Sequence, residues 1–125
     1  MIILTVDEVI TIHDKLVKVT GGSLGLRDMG LLESAIMSCT QTFGGEDIYP
    51  TVVEKTARMT YSICKNHPFI DGNKRVAVTV LLVTLQMNGI SIKHTQQELI
   101  ALGLSLANSS IDYEDVVAWV HNHIV

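Results

Sequence analysis

Apolar positions in this chain recur at helical spacing, and the polar residues between them cluster where helices begin and end. Three threonines stand three residues ahead of a glutamate, at Thr5/Glu8, Thr51/Glu54 and Thr95/Glu98. In that pattern a hydroxyl and a carboxylate each satisfy a free backbone N–H of the other residue. It predicts a first helix from Val6 to Val19, stopped by Gly21-Gly22, a third from Thr51 to Asn66 and a fifth from Thr95 to Asn108. A second helix opens near Asp28 with Leu31, Leu32, Ala35 and Ile36 on one face, and Gly44-Gly45 closes the segment after it. A sixth runs from Asp112 to His123. The fourth, from Asn73 to the Asn88-Gly89 stop, carries Val76, Ala77, Val78, Val80, Leu81, Leu82, Val83 and Leu85, apolar around nearly its whole circumference. A helix without a polar face has to be buried. The expected fold is therefore all-α, a compact bundle of about six helices around a central one. Only Phe43 to Tyr49 and Ile90 to Lys93 read as extended segments.

Length and composition narrow the classes. At 125 residues the chain reads as a single domain, residues 1–125, and 47% apolar content is enough to bury one core. With only 5% aromatics that core must be built from Leu, Ile, Val, Met and Ala, which suits helices better than a β-sandwich. A net charge of −4 supplies no basic face, which argues against direct nucleic-acid binding. The most apolar stretch, Val76 to Met87, is short and broken by Thr79, Thr84 and Gln86, so no membrane span is expected. Met1-Ile2-Ile3-Leu4 has neither the basic start nor the cleavage site of a signal peptide, and the expected location is the cytoplasm. Cys39 and Cys64 lack ligand spacing and read as reduced thiols packed in the core.

Reactive chemistry concentrates in Asn66-His67-Pro68-Phe69-Ile70-Asp71-Gly72-Asn73-Lys74-Arg75-Val76. Pro68 disfavours helix at the residue before it, so His67 closes the third helix, and Asp71-Gly72-Asn73 is turn and cap chemistry opening the fourth. The positive end of that helix then faces a histidine and a carboxylate. Lys74 and Arg75 in its first turn oppose the dipole, a cost that a bound phosphate removes. A helix-end histidine, an aspartate before glycine and a solvated Lys-Arg pair are each ordinary. Four reactive side chains within nine residues, set against an anion-binding helix end, make a catalytic or phosphate-binding site.

His67-Pro68-Phe69-Ile70-Asp71-Gly72-Asn73-Lys74-Arg75 resembles the signature of the Fic/Doc superfamily, and in particular its death-on-curing (Doc) branch, where lysine stands in place of a Fic glycine. Gly25 to Ala35 and Phe43 to Pro50 resemble the same branch, so the likeness extends over nearly the whole chain. The resemblance implies a Fic/Doc helical bundle in which Phe43 to Tyr49 forms a short flap that clamps a protein substrate. It also implies a catalytic set of His67, Asp71, Lys74 and Arg75. In that set His67 is the general base toward a substrate hydroxyl and Asp71 holds Mg²⁺ between phosphate oxygens. Gly72, Asn73, Lys74 and Arg75 would bind the phosphates of ATP. Phe69 reads as an apolar anchor for the loop.

Two departures from Fic enzymes bear on the reaction. Lys74 replaces the second glycine of Gly-Asn-Gly-Arg, and Val78 stands where Fic enzymes carry a further arginine. In the Doc branch this goes with an inverted ATP whose γ-phosphate faces the nucleophile. The implied protein is a toxin that phosphorylates a Thr or Ser of a translation factor, elongation factor Tu in this branch, and so arrests translation. Its implied partner is a separate, Phd-like antitoxin, because the internal Fic brake Ser/Thr-x-x-x-Glu-Gly/Asn is incomplete. Thr42/Glu46 and Ser110/Glu114 have the spacing, but Asp47 and Asp115 come next where Gly or Asn is needed. A Fic-type AMP-transferase and a catalytically silent binding module remain open alternatives. His13-Asp14 with His67 and Asp71 also spells a metal phosphohydrolase set, although His94, His121 and His123 fall in a loop and at a terminus. His13 reads instead as a core-facing or helix-bonded histidine, and Arg27-Asp28 as a helix cap with an ion pair.

Overall fold

The computed structural model describes every residue from Met1 to Val125. Six α-helices succeed one another along the chain: α1 (Val6–Thr20), α2 (Met29–Met37), α3 (Val52–Asn66), α4 (Asn73–Met87), α5 (Gln96–Ala107) and α6 (Tyr113–His123). A short 3-10 turn (Ser38–Thr40) comes after α2 and leads into an antiparallel ribbon, β1 (Thr42–Phe43) and β2 (Glu46–Asp47). As expected, α4 is central. It packs against α1, α3 and α5, and along it only Lys74 and Gln86 are exposed. Val76, Ala77, Val80, Leu81 and Leu85 are completely buried. Each larger aliphatic of that kind contributes about 1.5–3 kcal/mol on burial, so α4 is the element least able to shift and a rigid base for whatever sits at its end.

Capping obeys the threonine pattern with one exception. Thr5 with Glu8 and Thr95 with Glu98 form complete reciprocal boxes. At α3, Thr51 Oγ1 accepts from the Glu54 N–H at 3.1 Å, but Glu54 accepts the Thr51 hydroxyl instead of its backbone N–H. At α6 the box is made by Asp112 and Asp115.

Gly44-Gly45 closes the segment after α2, as expected, and does so as a hairpin turn. α2 stops at Met37, and the two glycines form the turn of the β1–β2 ribbon with φ of +60° and +83°, values that glycine takes without strain at both positions of a two-residue hairpin. Lys55 fastens the ribbon to α3 through Asp47 Oδ2 at 3.0 Å and through the Tyr49 carbonyl. Phe43 is left 83% exposed beside the turn. The other extended segment reduces to a single bridge between Ile92 and Ile124. Cys39 and Cys64 are free and buried, and burial pushes both thiols above their ordinary value. No helix is long and apolar enough to cross a membrane.

The C-terminus is tied down by a charged pair. His123 Nε2 lies 2.6 Å from Glu98 Oε2, and the Val125 N–H donates to Ser91 O at 3.0 Å. The hydrogen bond to His123 is the main cause holding Glu98 down at about 2, and the same bond raises His123 above 6.5. A lowered carboxylate stabilises above its ordinary 4.5 and loses that contribution as pH falls toward 2, whereas a raised histidine stabilises below 6.5 and loses it as pH climbs through its folded value. The pair should therefore contribute most between pH 4.5 and 6.5. Thermal melts of Glu98→Gln against the parent should differ most in that window and converge in strong acid and in alkali.

Candidate active site

The reactive segment spans the junction of α3 and α4. α3 ends at Asn66 because His67 turns left-handed, with φ +48°, and Pro68 comes next. Arg27 caps that end, donating from Nε to the His67 carbonyl at 2.7 Å and from Nη2 to the Asn66 carbonyl at 2.9 Å. Asp28 caps α2 instead, accepting the Leu31 N–H at 3.0 Å. The two neighbours thus serve different helices and form no ion pair, contrary to the reading of Arg27-Asp28 as a paired cap. The stretch from Gly25 to Asp28 runs beside the loop: Pro68 O accepts from Arg27 and Asp28, and the Ile70 N–H donates to Gly25 O at 3.0 Å. Phe69, 1% exposed, anchors the loop in the core.

Five of the six α-helices carry a side-chain N-cap; α4, capped by Gly72, has none. Its nearest candidate, Asn73, is turned inward. Asn73 Oδ1 accepts the Phe69 N–H and Nδ2 donates to Phe69 O, both at 2.9 Å. The first-turn N–H groups of α4 are left without a side-chain acceptor, the condition in which a helix end holds an anion. In front of them opens a cleft of about 470 Å³ lined by His67, Asp71, Gly72, Asn73, Lys74 and Arg75, with Cys64, Ile70 and Ala107 as its apolar walls. All six residues singled out from the sequence line this one cleft.

Their electrostatics differ. Asp71 accepts the N–H of Ser23 at 3.2 Å and that of Gly72 at 2.8 Å, and Arg75 stands 3.8 Å away. The Ser23 amide first, then Gly72 and more weakly Arg75, hold its carboxyl below the ordinary value, so it is ionised at neutral pH. Arg75 reaches across to the end of α1, donating to the Gly21 carbonyl at 2.9 Å and to the Thr20 hydroxyl. Lys74 is exposed and enters no ion pair. The His67 ring is exposed, with Nδ1 3.3 Å from Asn73 Nδ2. Because Phe69 fixes which end of the Asn73 amide is nitrogen, Nδ1 is the acceptor in that contact.

A family model described as the Fic/DOC family matches residues 3–85. The chain belongs to the Fic/DOC family. That match takes in α1 through most of α4 and every residue of the loop. The chain is 39% identical over 72 residues to Toxin Doc of Mycolicibacterium smegmatis, an alignment covering 58% of this chain and 55%, about half, of that protein's length. It is 29% identical over 110 residues to Protein kinase doc of Escherichia phage P1, covering 88% of this chain and 86% of the relative.

Around this Fic/DOC loop the structure places several residues that side-chain reasoning passed over. Ser23 acts through its backbone, which leaves no mark in the sequence. Gly21-Gly22 reads as a helix stop, yet a Cβ on Gly22 would lie 2.6 Å from Asp71 Oδ2 and 3.0 Å from Arg75 Nη2, at φ +113°. Gly22→Ala should cost about 1–3 kcal/mol through backbone strain and this clash, measured as a lower urea midpoint at unchanged slope.

The phosphohydrolase set does not assemble. His13 spends Nε2 on the Asp71 carbonyl at 2.6 Å, and no group of three or more His, Cys, Asp or Glu is placed to hold a metal. The Fic-type brake candidates also stand apart, since Glu46 lies in β2 and Glu114 in the first turn of α6, both exposed and neither lining the cleft. Val78, 8% exposed, sits one turn along α4 from Lys74 and faces Gly103 of α5, where an added Cβ would lie 3.6 Å from Val78 Cγ1. Beside the cleft, a second hollow of about 250 Å³ between α1, α4 and α5 is lined by Leu16, Val78, Leu99, Ile100 and Leu104 and shares Lys74 and Arg75 with it.

Proposed function

We propose that this protein is the toxin of a toxin–antitoxin pair, a Doc-type kinase that moves the γ-phosphate of ATP to a Thr or Ser hydroxyl of a translation factor, with elongation factor Tu the first candidate. One observation carries the reading: the uncapped N-terminus of α4 opens on a cleft that also holds His67, ionised Asp71 and an unpaired Lys74. The names of the relatives, Toxin Doc and Protein kinase doc, support it.

In this reading His67 takes the proton of the acceptor hydroxyl while its oxygen bonds to the γ-phosphorus and ADP leaves. Lys74, Arg75 and the α4 amides offset the charge on the phosphates. To act at Nε2 the neutral ring must carry its proton on Nδ1 and give up the 3.3 Å contact with Asn73. A neutral hydrogen bond is worth about 0.5–1.5 kcal/mol, and this one is long, so the cost is minor beside a general base worth about 10²–10⁴ in rate. Asn73 serves by its main-chain N–H and by bracing the loop, since its amide is committed to the N–H and carbonyl of Phe69.

Asp71 is an ionised carboxylate, half exposed, and the one acid lining the cleft. That donor set fits Mg²⁺ shared between one carboxylate and substrate phosphates, not an ion caged by protein. Bound there, the ion would neutralise phosphate charge.

The apolar hollow between α1, α4 and α5, rimmed by Lys74 and Arg75, suits an amphipathic segment of a separate antitoxin. A translation target puts the protein in the cytoplasm. Expression of the chain alone should arrest growth, and co-expression of the adjacent small reading frame should restore growth and co-purify. Persistent arrest without a complex removes that antitoxin candidate. Purified protein with Mg²⁺ and ATP should add phosphate to a Thr or Ser of elongation factor Tu, read by mass spectrometry. Phosphate on another lysate protein with elongation factor Tu unmodified would keep the kinase and replace the target.

A further inference from the structure

His13 of α1 lies beneath the phosphate loop, 1% exposed. Its ring stacks on Phe69 with centroids 3.8 Å apart and planes 7° from parallel, and Nε2 is 2.6 Å from the Asp71 carbonyl oxygen. A carbonyl can only accept, so Nε2 carries a proton and donates it. Nδ1 faces Asp14 Oδ1 at 3.2 Å. Gly72 lies against the same edge of the ring, since a Cβ on it would sit 3.4 Å from Nε2 and 3.6 Å from Cδ2.

Phenylalanine would fill this space and stack on Phe69 without desolvating two ring nitrogens, which costs free energy unless they are bonded. What imidazole adds at position 13 is the N–H. The peptide it grips carries the Asp71 carboxylate on one side and the Gly72 N-cap of α4 on the other. A slack Asp71–Gly72 peptide would loosen both at once.

We propose that His13 is a positioning residue, which through Nε2–H fixes the Asp71–Gly72 peptide and so aims the Asp71 carboxylate and the first amides of α4 at a phosphate. It touches no substrate. The inference rests on the kinase reading for its activity arm and not for its structural arm.

The test compares His13→Phe, His13→Gln and His13→Ala in the full chain. His13→Phe keeps the stacking and removes the donor, whereas His13→Gln keeps an N–H donor and removes the ring. In His13→Phe, amide exchange at Gly72 and Val76 should quicken by about tenfold, the effect of one lost hydrogen bond on local opening, with the middle of α3 unchanged. The Mg²⁺ needed for half-maximal transfer should rise about 10–100-fold, as when an outer group orienting a metal-bound carboxylate is lost. His13→Gln should move both readouts back toward the parent. Unchanged exchange at Gly72 and Val76 in a folded His13→Phe overturns the proposal, whether or not the parent phosphorylates anything. Altered exchange in a protein whose parent transfers no phosphate supports the positioning role and removes the kinase reading instead. Should His13→Phe fail to fold, equal quickening in His13→Gln and His13→Ala is the overturning result, and slower exchange in His13→Gln the supporting one.

Discussion

His67→Ala should abolish phosphate transfer and growth arrest while the fold survives, because a missing proton acceptor costs about 10²–10⁴ in rate. The side chain is exposed, and its one polar contact is the 3.3 Å approach to Asn73, so little packing goes with it. Its backbone is another matter. At φ +48° position 67 is left-handed, and an L-residue held there costs about 1–2 kcal/mol relative to glycine. The geometry is held by Arg27, which grips the His67 carbonyl at 2.7 Å. Alanine should inherit the strain and lose only the imidazole, and His67→Gly should relieve it. The pair separates chemistry from stability: both variants inactive, His67→Gly melting at or above His67→Ala. A folded His67→Gly that still arrests growth removes His67 as the base.

The helices were legible because their punctuation is local. A threonine three residues before a glutamate carries its own hydrogen-bonding reason, and α4 betrays burial by lacking a polar face. Gly44-Gly45 was ambiguous for a physical reason: a pair of glycines ends a helix or turns a hairpin with the same backbone freedom. The decision falls to the two-residue strands on either side and to Lys55 holding Asp47, which is tertiary information.

The loop from His67 to Arg75 could be read because its residues are contiguous, so one turn of chain gathers them. What holds them could not. Ser23 binds Asp71 across 48 residues through an amide that any residue but proline supplies. Arg27 reaches His67 from 40 residues away, and His13 reaches Asp71 from 58. Asn73 shows the complementary limit. Its identity suggested a phosphate ligand, but its amide faces Phe69 and leaves the cleft only a main-chain N–H.

Transfer should label an acceptor protein from γ-labelled ATP and not from α-labelled ATP. Lys74 lines the cleft, exposed and without a counter-ion, whereas Val78, one turn along α4, lines the neighbouring hollow and is buried against Gly103. A triphosphate in the AMP-transfer orientation would crowd Lys74 at its α-phosphate and drive its outer phosphates toward Val78. The walls there are apolar, and Lys74 and Arg75 on the shared rim would be the cations left to serve all three phosphates; each charge that loses water unpaired costs several kcal/mol. The reversed nucleotide keeps its charged tail beside Lys74 and Arg75 and presents the γ-phosphate to His67. Lys74→Gly should then cut transfer by about 10²–10³, the usual loss when one fixed charge-stabilising group leaves a reacting phosphate or oxyanion site. Glycine in a first helical turn costs at most about 1 kcal/mol of stability, and Lys74→Gln, which keeps helix propensity and removes the charge, controls for it. Both variants should fold and both should lose transfer. Incorporation of the α-label, with adenosine left on the acceptor hydroxyl, would overturn the kinase reading in favour of AMP transfer. A fully active Lys74→Gln would instead show that the α4 amides and Arg75 suffice to hold the phosphates.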